Sequence, residues 1–209
     1  MPRTSPFRPL TNLARHRAEV MAEQVAGALS ADLQTLVDAW AAFAVDLYKR
    51  LLAGEQPAAE NLVASPSSVA TVLAMVLPGA RGATADEIAL ALHSQLDPER
   101  VATAAGALDR ALIEQARADE LDLRISNAVW TQDGLALRPD FERALVEAFR
   151  AGLRQVDFQA SPEAARRAIN QLVSEQTAGK IPELFDSGAI PPDCRLVLTN
   201  AIYLEARWL

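Results

Sequence analysis

The side chains that most often carry chemistry are few in this chain and poorly grouped. Histidine occurs twice, as His16 and His93, and neither has a second His or Cys at metal-ligand spacing. His93 has only Asp97 at i, i+4, a weak pair, so both histidines are read as surface residues. The single cysteine, Cys194, stands beside Arg195, which favours a thiolate, but no histidine is near in sequence. It is read as a small, half-buried residue, and alone it can form no intrachain disulfide. Ser65 would be a candidate nucleophile, yet no Gly-x-Ser-x-Gly elbow is present, and Ser65-Pro66 is what a capped helix start looks like. Gly79-Ala-Arg-Gly82 lacks the Lys-Ser/Thr pair of a phosphate loop, and Gly179-Lys180 is followed by Ile181 where a magnesium-binding hydroxyl belongs. Both read as turns. Carboxylates sit beside arginines, as in Asp109-Arg110 and Glu142-Arg143, the pattern of solvated helix faces. None of these patterns calls for an enzyme, a metal or a cofactor.

Three polar residues stand out for the opposite reason, that their surroundings are apolar: Ser68, Thr199 and Asn200. Asn200 lies in the middle of Leu196-Val-Leu-Thr-Asn-Ala-Ile-Tyr-Leu204. A buried amide costs about 1 to 3 kcal/mol unless its donors and acceptors are paired. Asn200 is therefore either a satisfied structural asparagine or part of a polar network under a sheet that opens or rearranges.

The elements that must position these residues follow from periodicity. From Ser30, apolar residues recur at Leu33, Leu36, Val37, Trp40, Phe43, Leu47 and Leu51, an amphipathic helix that stops near Gly54. The helix opened by Ser65-Pro66 is apolar nearly all round, which predicts that it lies inside. Thr84 and Glu87 have capping-box spacing, and Asp97-Pro98 starts a helix to about Arg117. Leu121, Leu123 and Ile125 then alternate as a strand that ends at Asp133-Gly134. Pro139 opens a further helix, Val156 and Phe158 alternate as a half-buried strand, and Ser161-Pro162-Glu163 starts a helix that Gly179 stops. The near-continuous apolar run 196–204 predicts a strand buried on both faces.

The whole is α+β. Residues 1–29, with prolines at 2, 6 and 9, are read as an extension, poorly ordered or helical, and residues 30–209 as the domain. Of 209 residues, 50% are hydrophobic and 22% charged, which excludes disorder, and the net charge of -7 disfavours nucleic acid and anionic membranes as partners. No apolar run approaches the roughly 20 residues of a membrane span.

In ordered blocks the sequence resembles the serpin family. The carriers are Asn61-Leu-Val-Ala-Ser-Pro-Ser-Ser68, Pro78-Gly-Ala-Arg-Gly-Ala-Thr84, Ser126-Asn-Ala-Val-Trp130, Val156-Asp-Phe158, Ile169-Asn170 with Thr177-Ala-Gly-Lys-Ile181, and Leu196 to Tyr203 with Trp208. The resemblance implies the N-terminal half of the serpin fold: helices plus part of the large central sheet, with strands near 123–131, 152–158 and 195–205. The helix from Ser161 would lie across that sheet. It further implies that Ser65, Ser68 and Asn200 belong to the hydrogen-bonded shutter beneath the sheet, and that Trp208 marks the breach where an inserting loop first enters.

Serpins offer a reactive loop as bait, are acylated, and insert the cleaved loop as a new strand, here beside Leu196, Leu198, Asn200 and Ile202. The implied partner is a serine (or cysteine) protease. Glu205 and Ala206 depart from the family, which usually has Lys-Gly-x-Trp there, so that a charge is reversed and a glycine lost. The chain also stops before the positions where the family carries its reactive loop. The expectation is an inhibitor represented by its N-terminal portion, inactive alone and completed by a C-terminal half. The alternative is a non-inhibitory interaction protein or a fragment of one. The family is often secreted, whereas no signal peptide is visible here, which leaves extracellular and cytoplasmic locations both open.

Overall fold

The computed structural model describes the backbone of residues 9–53 and 62–207, and the side-chain surroundings of residues 30–53 and 62–207. The Gly54 helix stop, Asn61, Trp208 and the surroundings of His16 lie outside those ranges. Six α-helices and three strands are described: α1 (Pro9–Ala53), α2 (Pro66–Val76), α3 (Ala83–Ala91), α4 (Pro98–Ala118), β1 (Asp122–Gln132), α5 (Pro139–Phe149), β2 (Gly152–Val156), α6 (Pro162–Gln176) and β3 (Leu196–Glu205). The sheet order is β2-β1-β3, with β2 parallel and β3 antiparallel to β1.

The sheet separates two apolar layers because successive residues of a strand point to opposite faces. Val129, Leu196 and Leu198 pack against α1, α2, α4 and α5 through Leu36, Trp40, Phe43, Met75, Val101 and Leu145. Ala128, Trp130 and Val197 face the other way, onto Phe158 and the Ala165 and Ile169 stripe of α6. Helix α6 thus lies on the sheet as the resemblance implies. On the first face α4 comes close to the end of α5 because residue 106 is glycine. A Cβ there would fall 1.9 Å from the Ala148 carbonyl oxygen.

Several local expectations change. Helix α1 begins at Pro9, so residues 9–29 take the helical of the two forms expected of the extension. Helix α2 is buried only along Ala70, Thr71, Ala74 and Met75, while Val69 is 43% exposed, because α1, α4 and β3 cover one side of it alone. The Thr84 capping box does not form: Gly82, at φ 55°, is the N-cap of α3, which puts Thr84 inside the helix. Ser161 caps α6 with its backbone carbonyl and not its hydroxyl. Strand β2 ends at Val156, since Asp157 accepts the Ala160 N–H in a turn, and Phe158 is buried from that turn. His93 pairs at 3.0 Å with Asp46 of α1 and not with Asp97, whose carboxylate caps α4 by accepting from the Arg100 N–H. Finally, β3 is half-buried rather than enclosed, with Ile202 and Leu204 exposed, because it is an edge of the described sheet.

Candidate functional site

The polar groups of interest lie on the helical side of the sheet. At the start of α2, the Ser65 Oγ accepts the Ser68 N–H at 3.4 Å and shares a 2.9 Å hydrogen bond with the Ser68 hydroxyl. Proline at the first helical position fixes this turn without loss of a donor. Ser65 is exposed and Ser68 half-buried.

Asn200 sits opposite Asn127 in the antiparallel register of β1 and β3. Its Nδ2 donates to the Asn127 Oδ1 at 2.8 Å. The Asn127 Nδ2 in turn donates to the Asp109 carboxylate of α4 and to the Phe149 carbonyl at the end of α5, both at 3.2 Å. This chain of four groups ties β3, β1, α4 and α5 together. It closes at every point but one: the Asn200 Oδ1 is buried without a partner among the described residues. Burial outweighs the Asn127 hydrogen bond and nearby Arg110 in raising the Asp109 carboxyl above the usual carboxylate range. The Asp109-Arg110 pair is therefore not a solvated face, contrary to the expectation from sequence. Asn127 carries the same signal as Asn200, an amide inside an apolar run.

Leu196, Leu198, Asn200 and Ile202 all lie on β3, which pairs with β1 alone among the described residues. The two serines hydrogen-bond each other and the two asparagines each other, and among the described residues no hydrogen bond joins the two sets. Trp208 falls outside the described residues. Among the described residues no three His, Cys, Asp or Glu side chains lie together as a metal site, and no helix is long and apolar enough to cross a membrane.

On the opposite face, α6 holds the segment that leads into β3. The Asn170 amide accepts from the Leu184 and Phe185 N–H groups and donates to the Phe185 carbonyl. Arg166 is buried and binds Glu163, Glu183 and the same carbonyl, while Glu163 also accepts the Gly188 N–H at 2.8 Å. That N–H, then Arg166, holds the Glu163 carboxyl below its ordinary value.

A family model described as "Serpin (serine protease inhibitor)" matches residues 38–209. The chain belongs to the serpin family. It is 36% identical over 176 residues to a leukocyte elastase inhibitor of Xenopus tropicalis, covering 84% of this chain and 46% of that protein. An uncharacterized serpin-like protein of Thermococcus kodakarensis is 37% identical over 83% of this chain and 39% of its own length. Among solved structures, cleaved serpin 42Da superposes with a TM-score of 0.72 at 31% identity, covering 82% of this chain and 44% of that one. The stressed native form of Arabidopsis AtSerpin1 gives 0.73 at 22% identity, a likeness of fold, over 85% of this serpin and 44% of that chain. This serpin chain thus spans less than half the length of these relatives, and its helices and partial sheet correspond to their N-terminal portion.

Proposed function

We propose that this chain supplies the receiving sheet of a serpin-type inhibitor of serine proteases. The observation that carries the proposal is β3, ten residues long and hydrogen-bonded only to β1 among the described residues. Such a strand offers a free row of N–H and C=O groups to an added strand. Membership of a family described as serine protease inhibitors, with a leukocyte elastase inhibitor at 36% identity, supports the protease as partner.

In this scheme the protease serine Oγ attacks one peptide carbonyl of a bait segment that lies outside these 209 residues. The amine half departs with the proton, and the acyl half remains as an ester. The freed strand then joins β3 beside Leu196, Leu198, Asn200 and Ile202. Ser65, Ser68 and Asn200 act as the polar shutter behind that strand.

Two measurements test the scheme. An extended peptide of about twelve small and β-branched residues, mixed with the chain, is expected to raise its melting temperature and slow amide exchange along β3. Unchanged β3 exchange at millimolar peptide would remove the receiving role. A longer form carrying the bait is expected to give a detergent-stable, hydroxylamine-labile complex with a serine protease. Strand uptake without such a complex would point to the non-inhibitory interaction protein instead.

A further inference from the structure

We propose that Asp109 is a positioning residue: with the Phe149 carbonyl it sets the Asn127 amide, and through it Asn200, so that Asn200 is left presenting an oxygen. The geometry allows one orientation. Asn127 meets a carboxylate and a backbone carbonyl, both acceptors, so its Nδ2 must face them and its Oδ1 must face Asn200. Asn200 must then offer its Nδ2 across the strand pair, which leaves its Oδ1 as the buried, unpartnered end. The polarity of a hydrogen-bond chain that ends in the middle of β3 is thus fixed from helix α4. A donor at position 109 would oppose it.

Asp109 also lines a cavity of about 150 Å³ with Gly106, Ser126, Asn127, Arg110 and Arg150. The charged groups that face it are these two arginines, one on α4 itself and one just beyond α5, and Arg110 also donates to the Ala148 carbonyl at 3.3 Å. No other acid among the described residues lines that cavity, so a proton bound there titrates Asp109. The inference deepens the receiving-sheet proposal, because an oxygen at Asn200 matters most if a strand joins β3. The amide orientation itself holds or fails independently of protease inhibition.

The test uses the whole chain labelled with 15N at asparagine, which gives five side-chain amides, at positions 12, 61, 127, 170 and 200. The Asn127 and Asn200 amide signals are expected to move together with pH, on one curve with its midpoint above that of an ordinary carboxylate. In Asp109→Asn, which keeps an acceptor oxygen but cannot ionise, that curve vanishes while both amides stay protected. In Asp109→Leu, exchange of the Asn127 amide hydrogens rises about tenfold or more, as loss of a charge-assisted acceptor requires. Signals indifferent to pH in the parent chain, or an unchanged curve in Asp109→Asn, would overturn the assignment. The parent and Asp109→Asn decide it even if Asp109→Leu does not fold. A failed peptide experiment with this titration intact would sink the receiving role and leave the assignment standing.

Discussion

Asn127 is the residue on which the buried polar chain turns, since it accepts from one amide and donates to a carboxylate and a carbonyl at once. The carboxylate has a consequence for stability that can be signed. Asp109 is harder to ionise in the fold than in the open chain, so the folded state holds its proton more tightly. Its contribution is fully favourable below the unfolded value near 3.9, and is lost as pH rises through the folded value. Asp109→Asn has no such loss. Its melting temperature is expected to exceed that of the parent at pH 7, with the gap closing toward pH 4; thermal melts across that range that run parallel would contradict this. At the start of α2, Ser65→Ala removes the cap and is expected to cost about 1 kcal/mol in denaturant unfolding. The burial of the Asn200 amide oxygen was legible in sequence because apolar residues flank it on both sides along a strand. Asp109 was not, because beside Arg110 on an amphipathic helix it has the pattern of a solvent face. What buries it is β1, some eighteen residues later in the chain, and local periodicity carries no record of that contact.

Among the elements, α4 and α6 each meet the rest of the fold through one feature that a small change would remove. Gly106 lets α4 approach the end of α5 to a distance at which no Cβ fits. Gly106→Ala must push backbone apart and is expected to destabilise by about 1 to 3 kcal/mol, read from the denaturant midpoint. Helix α6 is fastened to the 183–188 segment by Glu163, Arg166 and Asn170. The Glu163 carboxyl is held below its ordinary value, so this tie is present above the unfolded value near 4.3 and is lost as pH falls through the folded one. Amide exchange at 183–188, corrected for its intrinsic pH dependence, should therefore accelerate below about pH 4. In Glu163→Gln it should already be raised at neutral pH and show no acid step. The starts of α2, α4, α5 and α6 and the strand-to-helix alternation could be read ahead of the structure because proline, serine and aspartate act within one turn. The end of β2 could not, because Phe158 continues the alternation in sequence while Asp157 has already turned the backbone.

Across the whole molecule, the same apolar pattern that identifies buried elements in sequence marks surfaces left open in the structure. The run 196–204 has the composition of a strand covered on both faces, yet Leu204 is 60% exposed and β3 has one paired side among the described residues. Near the start of α2, Val63 is 93% exposed beside Tyr48 and Leu52 of α1, around an open groove of about 750 Å³. Two routes to self-association follow, one by strand pairing along β3 and one by apolar contact at the groove. A free strand edge supplies directional hydrogen bonds as well as apolar area, so β3 is the expected route. The chain should sediment above its 22.5 kDa monomer mass at micromolar concentration, increasingly so as concentration rises. Charged side chains on an edge strand oppose pairing. Ile202→Lys with Leu204→Lys is accordingly expected to return the chain toward the monomer without loss of far-ultraviolet circular dichroism, whereas Tyr48→Lys with Val63→Lys leaves association in place. The reverse ranking would move the interface to the groove, and a parent chain that is monomeric at every concentration would show that β3 is protected by something other than pairing.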